Sequence, residues 1–272
     1  MLSRAYYYLV AGLPDLSLQQ SHLPFSSAEW ISVLTDHLSP PELAQLRLLR
    51  LPADHQTLLG LLRGASTPEA NDWALYDPEF LAEALEEESD QLPAYFLAVH
   101  AAFRQKSTPE DLLNAEHQLT ESYYDYALEK ATGLVQQWLP FDRDLRNLMT
   151  GWHLRKHNQS TENQLVGQNA VSEAIRESSG RDFGMGREYP SWNWWVQEAE
   201  DDGLVERQQN LERIRWHFID EALSFSYFSA DVLLGYLLKL QILQRRLEGE
   251  PQRGRQRLEH FIQEAAKQLE RT

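Results

Sequence analysis

Apolar residues recur every three or four positions through most of the chain, the spacing that places them along one side of an α-helix. Trp30, Val33 and Leu34 keep it, as do Leu43, Leu46 and Leu49, then Phe80, Leu81, Ala84 and Leu85, then Tyr95, Phe96, Val99 and Phe103. From Thr108 the pattern continues to Leu139 through Leu112, Leu119, Tyr123, Tyr126, Ala127, Leu134 and Trp138. That run predicts one helix of about 30 residues, ~45 Å long, closed by Pro140, with Gly133 costing about 1 kcal/mol and marking a bend. Leu145, Leu148, Met149 and Trp152 then predict a second helix within 140–156, opened by Asp142 or Asp144 and ended by Arg155 and Lys156 as the helix dipole favours. On a neighbouring face of that helix Asn147, Gly151 and Arg155 stand four apart, a polar stripe centred on the one residue without a side chain. We read it as a polar seam: Asn147 and Arg155 hydrogen-bonded to a neighbouring helix that comes close at Gly151.

The remaining pattern predicts a shorter helix over Leu165 to Ile175 and another opened by Tyr189 to Trp195. Two long helices follow, over Leu204 to Phe225 and Phe228 to Leu247, and a last amphipathic one over Arg257 to Leu269. In the tryptophan-rich opening, Trp192 and Trp195 share a face and Trp194 reads as a corner of the core. Only Ala5 to Val10 has the aromatic and β-branched character of a strand. The expected fold is therefore all-α, a multi-helix arrangement with long antiparallel helices. Ser39-Pro40, Thr67-Pro68, Asp77-Pro78 and Thr108-Pro109 each pair a capping residue with a proline suited to the first helical turn, and Glu42 completes a capping box with Ser39. Periodicity weakens over 158–190, which divides the chain into 1–157, a connector 158–190, and 191–272.

Composition narrows the chemistry. The 272 residues carry a formal charge of −16, which disfavours a nucleic-acid partner because phosphate binding requires a basic face. Cysteine is absent, so disulfides, thiol nucleophiles and thiolate metal sites are excluded. The N-terminal apolar run is too short and too aromatic for a signal peptide, and Val232 to Leu243, interrupted by Lys239, is too short to span a bilayer. A cytoplasmic protein without direct membrane insertion is expected.

No catalytic or metal constellation emerges. His153 and His157 have the one-turn spacing of a zinc pair, yet Leu154, Arg155 and Lys156 between them supply no base and add two cations. The glycines at 180, 184 and 186 follow a predicted helix instead of a strand and lack the Gly-Lys-Ser or Gly-Lys-Thr of a phosphate loop, so the stretch reads as a connector. Asp201-Asp202, the only double aspartate, has no matching partner for magnesium. No cofactor or metal is expected, and a helical interaction protein is favoured over an enzyme.

Three stretches carry a resemblance. Tyr6 to Asp15, Asp144-Leu145-Arg146-Asn147-Leu148 with the downstream Arg155, and Phe228 to Ile242 are similar to a bacterial family encoded beside V-type ATPase genes. That family in turn resembles the non-catalytic central-stalk socket of V/A-type ATPases, over an all-helical plan and an Asn-containing helix. The resemblance implies a helical funnel or bundle that caps the membrane rotor ring and receives the foot of the central shaft. It implies other V-type ATPase components as partners, a role in proton or sodium transport, and a place at the cytoplasmic face of the inner membrane. Together with the polar stripe, this makes Asp144, Asn147, Gly151, Arg155 and Tyr236 the expected structural or interface positions. The competing expectations are a helical adaptor or regulator with unrelated partners, and a helical hydrolase or lyase whose site assembles only in three dimensions. An open polar concavity would favour the socket, and a deep pocket of carboxylates or histidines the enzyme.

Overall fold

The computed structural model describes residues 6–64, 71–106, 108–187, 189, 191–200 and 203–249. Every regular element among them is helical, so the protein is all-α. The elements are α1 (Tyr7–Ala11), α2 (Ser27–His37), α3 (Pro40–Leu62), α4 (Pro78–Glu86), α5 (Ala94–Phe103), α6 (Pro109–Lys130), α7 (Gly133–Lys156), α8 (Ala170–Glu177), α9 (Trp192–Ala199), α10 (Leu204–Leu223) and α11 (Ala230–Glu248). A short 3-10 turn, Met185–Arg187, precedes α9. The stretch with strand character is helical at α1, and the helix expected over Leu165 to Ile175 begins at Ala170. The helix starts at Thr67 and Arg257 lie outside the described residues.

Capping follows the sequence. The Ser39 amide donates to Glu42 Oε2 at 2.8 Å, and Asp77 Oδ1 accepts from the Glu79 amide at 2.9 Å. Thr108 Oγ1 accepts from the Asp111 amide at 3.1 Å, while Asp111 Oδ2 accepts from the Thr108 amide at 3.3 Å. Each satisfies donors that a helix start leaves open, worth roughly 1 kcal/mol apiece.

The long helix expected over 108–139 is not continuous. It stops at Lys130, Ala131 and Thr132 are extended, and Gly133 opens α7 with a φ of +57°, a region that glycine enters without a Cβ clash. The bend is held from a distance: Gln45 of α3 accepts from the Thr132 amide at 2.9 Å and donates to the Lys130 carbonyl at 3.1 Å. Pro140, expected to end a helix, lies inside α7. It leaves the Gln136 carbonyl without its helical donor, a cost of about 3 kcal/mol. Burial of Trp138, Leu139 and Phe141 around it, with Phe141 stacked on Phe218 of α10 at 3.9 Å, offsets that cost.

The chain forms two compact units, one from residues up to Asp36 together with those from Ser226 on, the other from His37–Phe225. Residues 158–190 therefore lie inside the second unit. In that unit α3 packs on α5 and α6, α6 on α7, and α7 on α8, α9 and α10. Leu58, Leu81, Phe96, Val99 and Leu119 are fully enclosed in its core, and a further cluster gathers Leu148, Leu165, Ile175, Phe183 and Trp192 beside α7. In the first unit α11 lies against α1. Trp30 of α2 donates to the Leu233 carbonyl at 3.3 Å, and Ser27 donates to Gln244 at 2.6 Å.

Candidate functional site

Helix α7 holds the segment that follows it at four points along one face. Asp144 Oδ1 accepts from Asn169 Nδ2 at 2.7 Å, and Asn169 in turn caps α8. One turn on, the buried Asn147 amide is used twice: Nδ2 donates to the Val166 carbonyl and Oδ1 accepts from the Val166 amide, both at 2.8 Å. At Gly151 the side chain of Ile175 occupies the space a Cβ would need. Arg155 then donates to the Ser178 and Gly180 carbonyls, each at 2.5 Å, with its guanidinium 3.9 Å from the centre of the Phe183 ring. Burial pushes the Asp144 carboxyl above the usual range, and Arg155 is shifted down by the same cause. The four residues thus position 166–183, and every one of these contacts is internal to the chain.

Tyr236 belongs to the first unit, where its ring packs with Trp30 at 5.5 Å and Phe25 at 5.9 Å. Its buried hydroxyl has no partner among the described residues, and burial, with a smaller contribution from Asp15, pushes it up to about 12. The same unit brings two of the three resembling stretches together. The Tyr6 amide donates to the Phe228 carbonyl at 2.6 Å, and the Tyr7 ring stands 4.7 Å from that of Phe228. Phe228 takes a φ of +38°, a conformation that costs a bulky residue roughly 1–3 kcal/mol. Around this junction Tyr7, Tyr8 and Tyr227 are 60%, 97% and 73% exposed, an aromatic surface with no cover among the described residues.

The second unit carries an open groove of about 760 Å³ between α6 and the 160–168 segment. Its walls combine amides and hydroxyls, Asn114, Gln118, Ser122, Thr161, Asn163 and Gln168, with the His117 imidazole, the carboxylates of Glu121, Asp125 and Glu162, and the Arg176 guanidinium. Among the described residues no group of three or more histidines and carboxylates could hold a metal ion, and the His153 and His157 rings simply lie beside each other at 4.5 Å. Trp194 is half-buried, its indole donating to Glu198 at 3.0 Å.

Sequence reasoning missed two polar centres, one buried and one half-buried. Asp54, enclosed in α3, accepts from the Leu75 amide at 3.0 Å and the Tyr76 amide at 3.1 Å. Burial pushes it up to about 6. Its neighbour His55 meets the Tyr95 hydroxyl at 2.9 Å, and burial, assisted by Arg146, holds it down at about 3. The signal was available: an acid and a histidine interrupt an otherwise leucine-rich face of α3. Asp142 is the second centre, accepting from the Tyr124 hydroxyl at 2.9 Å and from Arg215 of α10 at 3.1 Å.

No helix among the described residues is long and apolar enough to cross a membrane. Neither a curated protein nor a solved structure matches the chain. A family does match over residues 3–268, nearly the whole length, and the chain therefore belongs to the family described as protein of unknown function DUF2764.

Proposed function

We propose that this chain is a non-catalytic central-stalk component of a V/A-type ATPase, coupling the rotating shaft to the membrane ring in proton or sodium transport. The resemblance of the two chain ends and the Asn147 helix supplies the identity of the partners. The observation that carries the binding role is the open groove on α6. Its openness and its mixed lining of amides, hydroxyls and charges let it exchange hydrogen bonds with a partner or water at little net cost, which suits a protein contact better than an enclosed reaction site. Asp54 and His55 are fully engaged by backbone amides and Tyr95 and do not line the groove. The exposed tyrosines at the joined ends give a second surface of the composition that anchors protein interfaces.

In this reading the protein sits at the cytoplasmic face of the inner membrane without entering it. Affinity purification of the native chain with mass spectrometry is expected to recover shaft and ring components of the ATPase. Deleting its gene is expected to detach the catalytic head from the membrane. Recovery of no ATPase component, or an intact ATPase in the deletion strain, overturns the reading, and recovery of an unrelated complex makes the chain an adaptor instead.

A further inference from the structure

A second cavity, of about 270 Å³, lies between α3, the end of α6 and the segments around Tyr76 and Gln91. The geometry points to this cleft as a binding site for a carboxylate carried on an aromatic or aliphatic body. Its apolar lining comes from Leu48, Leu51 and Leu92, and its aromatic lining from Tyr76 and Tyr126. Arg47 and Lys130 also line it, and both are exposed. Among the described residues neither forms an ion pair, although the chain as a whole carries −16. Asp90 is the only carboxylate in the lining, so the local balance is one net positive charge. That matches a single carboxylate, whereas a phosphate dianion would meet Asp90 with charge to spare.

The site is built before any ligand arrives. Lys130 Nζ stands 4.6 Å from the centre of the Tyr126 ring, and Gln45 clamps the Lys130 carbonyl. Asp54 fixes the Leu75 and Tyr76 amides from beneath, and the Tyr76 hydroxyl donates to the Gln91 carbonyl at 3.1 Å, tying the two segments together. Behind the wall Arg50 holds the carbonyls of Trp73 and Ala74, with its charge set against that of Asp54, so the balance of one net positive charge stands. At about 30 Å³ per water the cavity has room for roughly nine waters, the scale of one side chain with its carboxylate. Such a group occurs at the C-terminus of a peptide or in a free aromatic acid.

The test is titration of the isotope-labelled full chain with N-acetyl-phenylalanine, followed by NMR, against its amide, inorganic phosphate and a peptide ending in Phe with a free carboxylate. Saturable shifts at Tyr76, Gln91 and Tyr126 are expected with the acid, and about tenfold weaker binding with the amide. Arg47→Gln and Lys130→Gln should each weaken the acid by a similar factor without lowering the melting temperature, and Asp90→Asn should tighten it. Tighter binding of the peptide than of the acetylated residue assigns the ligand to a protein partner, and equal binding to a free acid; both support the site. Equal binding of acid and amide, phosphate binding of comparable strength, or no saturable shift up to about 10 mM overturns it.

Discussion

Asn147 satisfies both backbone groups of Val166 with a single side chain, so its removal orphans a donor and an acceptor in a dry interior. Asn147→Ala should cost about 2–4 kcal/mol in urea unfolding, more than a surface substitution by a wide margin. Gly151→Ala tests the same seam by volume. The new methyl meets Ile175, and a loss of about 1–3 kcal/mol is expected. In an Ile175→Ala background, already weakened, the same substitution should cost little, so the double-mutant cycle should show strong coupling. The polar stripe was legible in sequence because all its members lie on one helix with one period. What the stripe holds was not: Val166, Ser178 and Gly180 belong to a polar, irregular stretch whose backbone carries the contact, and backbone groups leave no mark on a sequence.

At the scale of elements, the helices were legible wherever caps and period agreed, and the breaks in part: Gly133 marked the bend, while Pro140 was expected to end a helix and does not. Gly133 and Pro140 are both helix breakers by propensity, and only the first breaks. The difference lies in what surrounds them: Gln45 takes over the hydrogen bonds lost at Thr132, while the aromatic packing around Pro140 holds that turn helical. Pro140→Ala should therefore raise the melting temperature, since it restores a donor for the Gln136 carbonyl without disturbing Phe141. Gln45→Ala should act in the opposite sense, with a loss of about 1–3 kcal/mol and faster amide exchange at Thr132. Gly133 marks where the bend falls, but no window of sequence around Thr132 shows what holds it, because Gln45 is on α3.

Across the whole molecule, the buried Asp54 and His55 set opposing dependences on pH. Asp54 titrates near 6 in the folded state against 3.8 ordinarily, so its contribution is full at low pH and is lost as pH rises through 6. His55 titrates near 3 against 6.5, so its contribution is full above 6.5 and is lost as pH falls toward 3. Between about pH 4 and 6 the two slopes, each up to about 1.4 kcal/mol per pH unit, cancel. Asp54→Asn should expose the His55 slope, making the protein steeply less stable on acidification from pH 6 to 4, and His55→Gln should make it more stable on the same acidification. Thermal melts of both variants across that range check the signs. The hydrogen bond between Tyr6 and Phe228 has a consequence in time. During synthesis the ribosome delivers residues 37–225 as one uninterrupted stretch that can settle on its own contacts. The opening helices, with Trp30 and Phe25 awaiting Leu233 and Tyr236, must stay uncovered until the far end emerges. At about 5–20 residues per second that wait is roughly 10–40 s, long enough for a chaperone to be the first molecule those apolar side chains meet.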